Sequence, residues 1–186
     1  MRRESNRMGA VTDKREARTT LTKADLEAAF AYDPQTGEFT WKSDRRVGRG
    51  NGRLHRRKGD RAGHVANGYL VLSIGRERFA AHRVAWLFSH GEWPIGEIDH
   101  KNCDPLDNRL ENLRVATGNQ NRANMPSRSP SGFKGVTKLK NANRYVAQIT
   151  VNGKNRYLGC FKRAEDAHAA YVVAARDAFG EFARSK

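Results

Sequence analysis

Cysteine is scarce in this chain. Only Cys103 and Cys160 occur among 186 residues, far apart and with no Cys-x-x-Cys pair. That argues against a structural zinc site, and two free thiols in a reducing cytoplasm are the expectation. Long apolar runs are missing as well. No stretch approaches the length of a membrane span, and no apolar core follows the N-terminal arginines as a secretory signal would require. A membrane is therefore not an expected partner, and the expected location is cytoplasmic. Acidic residues are also in short supply, 20 Asp and Glu against 35 Lys and Arg, for a formal net charge of +15. Such a surplus draws polyanions through counterion release and points to a nucleic acid before acidic proteins or lipid surfaces.

Two segments have too few apolar residues to fill a core. Residues 1–20 are polar and mixed in charge, so a mobile tail is expected. Residues 43–63 carry Arg45, Arg46, Arg49, Arg53, Arg56, Arg57, Lys58 and Arg61 among glycines. Their one-sided charge favours a flexible arm gripping phosphates over a solvated loop. A third break, around Pro126-Ser127-Arg128-Ser129-Pro130-Ser131, looks like a linker. These breaks divide the chain into a tail (1–20), a first domain (21–125, with the arm at 43–63 and a core motif at 97–125), a linker (126–131) and a second domain (132–183).

The periodicities within these segments predict an α+β protein. Thr22 is a candidate N-cap with Asp25 in the first turn, and Leu26, Ala29 and Phe30 recur at helical spacing. The run from Tyr32 to Gly37 is turn chemistry leading into a strand at residues 38–42. Residues 69–74 and 79–81 form a predicted hairpin, followed by a helix over 82–90 that Gly91 ends. A short strand over 97–100 and a second from Asn112 to Val115 come next. Thr117 and Gln120 then make a capping box that starts a helix near Gly118. Beyond the linker, strands over 135–139, 145–151 and 155–160 precede a helix over 164–178, and Asn152-Gly153 is a hairpin turn. The alanines 167, 170, 174 and 178, with Tyr171, form a stripe suited to lying against a sheet.

Asp99-His100, with Asn112 and Asn121 behind it, is the chemical centre of the sequence. An imidazole titrating near neutrality can take a proton from water. A carboxylate and an amide oxygen are hard ligands for Mg²⁺ or Mn²⁺, which would neutralise a phosphodiester's developing charge. The segments Asp99-His100, Pro105-Leu106-Asp107-Asn108-Arg109-Leu110-Glu111-Asn112-Leu113-Arg114 and Asn119-Gln120-Asn121-Arg122-Ala123-Asn124 resemble the HNH endonucleases of phage and intron origin. The segments Tyr32-Asp33-Pro34 and Ala81-His82-Arg83-Val84-Ala85-Trp86 extend the likeness over residues 20 to 125. The resemblance implies a ββα-metal (His-Me finger) unit. It makes His100 the general base, Asp99 and Asn121 ligands of one metal ion, and Asn112 the residue that orients the base. Many members carry His where Asn121 stands, and Asn is the phage-type variant. Asn124 rivals Asn121, Arg114 is placed near the phosphate, Asn108 reads as a turn residue, and Cys103 has no role. His82 reads equally as packing or as support of the site, while His55, His64, His90 and His168 read as bystanders.

Residues 132–183 are similar to the Apetala-type DNA-binding domain of ethylene-response factors. The match runs through Gly132-Phe133-Lys134-Gly135-Val136, Tyr145-Val146-Ala147-Gln148-Ile149, Tyr157-Leu158-Gly159-Cys160-Phe161, Glu165-Asp166-Ala167 and Gly180-Glu181-Phe182. That likeness implies a three-stranded antiparallel sheet packed on one helix and laid into the major groove. Independently, residues 134–163 hold eight Lys or Arg and no acid. A sheet with one basic face is therefore expected. Candidate contacts are Lys138, Lys140, Arg144, Gln148, Thr150, Lys154, Arg156 and Tyr157, with Arg156 and Gln148 as base readers and the lysines on phosphates.

The resulting expectation is a metal-dependent endonuclease of phage or mobile-element homing type. It would be held on double-stranded DNA by its second domain, would leave 5′ phosphate and 3′ hydroxyl ends, and would nick one strand if it acts as the favoured monomer. The rival is a non-catalytic DNA-binding regulator with a degenerate HNH unit.

Overall fold

The computed structural model describes residues 21–47, 54–127, 129–140 and 142–184. The expected tail, Arg49 and Arg53 of the arm, and Arg128 of the linker lie outside them. The chain packs as two units, Met1–Val115 and Ala116–Lys186. Four α-helices and several small antiparallel sheets among the described residues make an α+β protein.

In the first unit, α1 (Lys23–Ala29) starts where the sequence predicts. Thr22 Oγ1 accepts from the Asp25 amide at 3.2 Å while the Thr22 amide donates to Asp25 Oδ2 at 2.7 Å, a reciprocal capping box. The helix ends one residue before Phe30. That residue turns extended (φ −122°, ψ 146°) and opens β1 (Phe30–Tyr32), which pairs with β2 (Phe39–Trp41). Helical spacing placed Phe30 on the buried face, and it is fully buried, but from a strand whose ring lies 4.6 Å from that of Trp41.

The basic arm is a pinned excursion over its described residues. β3 (Arg45–Val47) pairs with β4 (Leu54–Arg56). The chain then returns along β2, with Trp41 N donating to Asp60 O at 3.0 Å and Ala62 N to Phe39 O at 2.7 Å. Arg61 is ion-paired with Glu38, and Ala62 enters the core. Backbone bonds to β2 hold the arm's base, a contribution that composition does not report.

A three-stranded meander follows: β5 (His64–Ala66), β6 (Tyr69–Ile74) and β7 (Glu77–Ala80). β5 was not anticipated, because His64-Val65-Ala66 carries no clear alternation. Leu72 opposite Phe79 faces the core. α2 (Ala81–His90) ends at Gly91, which adopts the left-handed φ of 87° that its missing Cβ permits. Its buried Arg83 donates to the carbonyls of Gly96 (2.8 Å) and Pro94 (3.2 Å), fixing the loop that delivers β8 (Glu97–His100). β8 pairs with β9 (Leu113–Ala116), and a 3₁₀ turn at Leu110–Asn112 precedes β9. Leu26, Phe30, Phe39, Leu72, Val84, Ile98 and Leu113 belong to one core cluster.

The second unit opens with α3 (Gly118–Asn124), capped by Thr117 and Gln120 as predicted. Its sheet runs β10 (Val136–Lys138), β11 (Tyr145–Val151), β12 (Lys154–Phe161) in that order, all antiparallel. Asn152 and Gly153 turn between the last two with φ of 51° and 77°, as a tight hairpin requires. α4 (Ala164–Phe179) packs on the sheet through Ala167, Tyr171 and Ala175. Ala178, expected on that stripe, is exposed, because the line of contact advances by four residues from Tyr171 to Ala175. Gly135 (φ 70°) lies under the Tyr171 ring, and a Cβ there would meet that ring at 2.1 Å. The segment read as a linker is bonded at its described residues. Ser129 and Ser131 donate to the Val136 carbonyl at 2.7 and 2.8 Å. Lys134 Nζ donates to the carbonyls of Arg122 (3.0 Å), Ala123 and Met125 (2.6 Å), capping the C-terminal end of α3.

Candidate active site

β8 brings Asp99 and His100 into the interior, 3% and 6% exposed. Neighbours in a strand point to opposite sides, and their contacts separate accordingly. Asp99 Oδ2 accepts from Arg114 Nε at 2.8 Å, across to β9. Arg114, expected against a phosphate, is thus a largely buried partner of the carboxylate, its side chain 12% exposed.

His100 packs among residues distant in sequence. Its Nε2 lies 3.4 Å from Asn108 Oδ1, and its ring is 5.1 Å from that of His82 in a T-shaped contact. Asn108, read as a turn residue, is 1% exposed and is the amide that meets the imidazole, a contact the sequence reading did not include. Its Nδ2 donates to the Leu106 carbonyl at 3.1 Å, which only accepts, so the amide is oriented with its oxygen toward the imidazole. That oxygen calls for a proton on Nε2 and leaves Nδ1 as the basic nitrogen of the neutral ring. The Tyr32 hydroxyl donates to the Asn108 carbonyl at 2.8 Å. Burial of that phenol, with Asp33 and Asp107 nearby, raises its pKa to about 12. Nothing in the run of Asx residues from Asn102 to Asn108 distinguishes the one that meets His100. Any of them can close a local turn, and several do.

Asn112, which the resemblance assigned to orienting the base, holds the loop between the strands. Its Oδ1 accepts from Asn102 N at 3.0 Å, and its Nδ2 donates to Asn102 Oδ1 (3.0 Å) and the Asp107 carbonyl (2.8 Å). Both amide protons are therefore committed to the loop. Asp107 is bound by Arg109 Nε at 2.9 Å and Nη2 at 2.7 Å, and this pairing lowers its pKa to about 2. The loop is an interlocked shell of amides and charges that sets Asn108 under His100.

Desolvation lowers the pKa of His100, opposed by the Asn108 hydrogen bond and the negative charges of Asp99, Asp104 and Asp107. His82 is pushed further, to about 3, by burial and by the neighbouring His100 and Arg83. Its Nδ1 is buried without a hydrogen-bond partner. Both shifts favour the neutral imidazole.

Asn121 and Asn124 stand on α3, in the second unit; Asn121 is partly buried and Asn124 is 5% exposed. Among the described residues no three His, Cys, Asp or Glu side chains cluster as a metal-holding group. A divalent ion at Asp99 would complete its shell with neutral amide oxygens, water and phosphate. Mg²⁺ accepts such a shell, since it retains water and takes only one or two carboxylates. Asp99 offers such an ion one carboxylate, whose Oδ2 is also bonded to Arg114.

The candidate contacts of the second unit are all exposed: Lys138, Lys140, Arg144, Gln148, Thr150, Lys154, Arg156 and Tyr157. They do not share one basic face. A register shift between Ala147 and Gln148 sets Gln148 opposite Tyr157 and Thr150 opposite Asn155, with Thr137 opposite Val146 on the same outer side. Arg156 is opposite the buried Ile149, Lys154 opposite Val151, and Lys138 opposite Tyr145, all on the side of the helix. The outer face therefore carries Thr137, Gln148, Thr150, Asn155 and Tyr157 beside Val146, with no cation among these paired positions. The consecutive Arg156 and Tyr157 point to opposite sides of the strand, so charge composition alone did not place them on one face.

Residues 79–123 match the family model of the HNH endonuclease, which covers α2, β8, the loop, β9 and most of α3. The chain is 36% identical over 119 residues to an uncharacterized HNH endonuclease of Acanthamoeba polyphaga mimivirus, a match spanning 63% of this chain and 62% of that relative. It is 32% identical over 106 residues to Protein 3.8 of Escherichia phage T7, covering 55% of this chain and 87% of that protein. With Asp99, His100, Asn108 and Asn112 gathered inside the matched segment, residues 79–123 are an HNH endonuclease domain.

Proposed function

We propose that this protein is a metal-dependent endonuclease that hydrolyses phosphodiester bonds of double-stranded DNA. The observation that carries this reading is the setting of His100. It is a buried imidazole, its pKa lowered by desolvation, whose Nε2 faces an oriented Asn108 amide, which assigns the base to Nδ1. His100 Nδ1 takes the proton of the attacking water, and burial keeps the ring unprotonated beforehand. Asn108 holds the ring and stabilises the proton on Nε2. Asn112 keeps the 102–107 loop closed so that Asn108 stays in place. Asp99, steadied by Arg114, would hold the ion, with Asn121 as a second ligand on the strength of the sequence resemblance. Bound Mg²⁺ or Mn²⁺ supplies neutralisation of the phosphate and the leaving 3′ oxygen.

The functional division follows the sequence reading, with a nuclease region over 21–125 and a DNA-holding domain of Apetala type over 132–183. What supports the latter is the hydrogen-bonding outer face of its sheet (Thr137, Gln148, Thr150, Asn155, Tyr157) and the exposed cations of the same strands and their loops. Gln148 and Tyr157 of that surface meet bases, while the exposed Lys138, Lys140, Arg144, Lys154 and Arg156 meet phosphates. A phage or mobile-element role and nicking by a monomer complete the proposal. The rival, a DNA-binding regulator without catalysis, draws on the burial of Asp99 against Arg114.

The test is supercoiled plasmid and flanking genomic DNA incubated with Mg²⁺, with Mn²⁺ and with chelator, using the parent and His100→Ala. Metal-dependent cuts lost in the variant are expected. Intact DNA with a gel shift in every lane would replace the endonuclease with the regulator.

A further inference from the structure

The meander β5–β6–β7 has one face in the core and one open. Strand pairing sets Tyr69 beside Ala66, Val71 between His64 and Ala80, and Ser73 beside Arg78, so these residues share the open face. His64, Tyr69, Val71 and Arg78 line a cavity of about 290 Å³, and His82 of α2 stands in its wall. Tyr69 is a large aromatic left 43% exposed. Its ring centroid is 5.5 Å from that of His82 and 6.3 Å from that of His100. The cavity is therefore adjacent to the basic imidazole, one ring away.

We propose that this cavity is a nucleotide subsite, in which the base next to the scissile phosphate stacks on Tyr69 and the adjoining phosphate meets Arg78. The proposal rests on the endonuclease reading and adds the residues that seat the substrate there. A nucleotide suits the lining: an exposed aromatic ring for its π-face, apolar Val71 and Ala80 beneath, and a guanidinium at the edge. No carboxylate is among the lining residues, so an anionic backbone meets no repulsion there. The volume is at the lower end for small-ligand sites, enough for one nucleotide and not for a duplex. Stacking tolerates any base, so the subsite positions the strand without reading sequence.

The experiment is steady-state cleavage of a duplex oligonucleotide carrying the mapped cut site, with the parent, Tyr69→Ala, Tyr69→Phe and Arg78→Gln. An abasic analogue replaces the nucleotide next to the cut in a parallel set. Tyr69→Ala should raise KM by roughly tenfold with kcat within about twofold, the signature of lost binding shared by ground and transition states. Tyr69→Phe should behave as the parent, because stacking needs the ring and not the hydroxyl. The abasic substrate should weaken the parent by a similar factor and Tyr69→Ala no further. Arg78→Gln should reduce the slope of log KM against log salt by about one. An unchanged KM in Tyr69→Ala overturns the subsite, as does a loss that persists in full on abasic DNA, which would mean that Tyr69 acts only by packing against His100. A parent that does not cut overturns the endonuclease reading and the subsite with it. A cutting parent with an indifferent Tyr69→Ala overturns the subsite alone.

Discussion

His82 makes the first unit sensitive to acid, by an amount that follows from its surroundings. Its pKa is lowered to about 3 from an ordinary value of 6.5, first by burial and then by the charges of His100 and Arg83. Above pH 6.5 the ring is neutral in folded and unfolded chains alike and confers no pH dependence. Between 6.5 and about 3 the unfolded chain binds a proton that the native ring refuses, so stability falls as pH falls. Each unit of pH in that window costs about 1.4 kcal/mol, and the two units from 6.5 to 4.5 cost about 2.7 kcal/mol at most. The ring is only partly screened from water, which brings the expected loss to about 2 kcal/mol.

The assay is urea unfolding followed by tryptophan fluorescence at pH 7 and pH 4.5, in chelator. Trp41, Trp86 and Trp93 all lie in the Met1–Val115 unit, so the signal reports that unit alone. His82→Phe replaces the imidazole with a ring that cannot titrate, and carboxylates common to both proteins cancel in the difference. The parent should lose about 2 kcal/mol more than His82→Phe between the two pH values. At pH 7 the variant should equal or exceed the parent, since the unpartnered Nδ1 is gone. Parallel pH dependences in the two proteins would refute the argument that burial holds His82 neutral.

Asn108→Ala should leave the DNA affinity of the second unit intact while lowering kcat at least tenfold. Isoleucine or leucine at that position should do no better, because the loss is of the oriented oxygen at His100 Nε2; single-turnover cleavage checks it. Gly135→Ala should destabilise the second unit by more than about 2 kcal/mol in thermal unfolding, because φ is 70° and the new methyl meets the Tyr171 ring. Tyr157→Ala should weaken DNA binding at every salt concentration, whereas Arg156→Gln should mainly flatten the salt dependence. Titrations at two ionic strengths distinguish these outcomes.

Much of the chain is legible locally. Thr22 with Asp25 and Thr117 with Gln120 mark helix starts because each pair closes its hydrogen bonds within four residues. Asn152-Gly153 and Gly91 mark a turn and a helix end because only certain backbones tolerate positive φ. Glu97–His100 is legible as a strand, the one that holds the Asp99-His100 pair. Phe30 was not legible as a strand residue. A buried position looks the same in either periodicity at a boundary, and its pairing with Trp41 lies eleven residues further along.

What the sequence by itself determined is the set of chemical groups: the Asp-His pair, the amides behind it, the cationic surplus, and the element types that hydrogen bonds of short range dictate. What only the tertiary structure decided is which group acts on which. It put Arg114 on Asp99, gave the imidazole to Asn108 and the loop to Asn112, and fastened α3 to the second unit through Lys134. It turned Arg156 to the helix side of its sheet by one bulge. These assignments depend on contacts between residues far apart in the chain, or on one inserted residue that reverses a two-residue period. Residue type and spacing carry neither, because an amide or a guanidinium has the same capacity for bonding whichever partner packing presents to it.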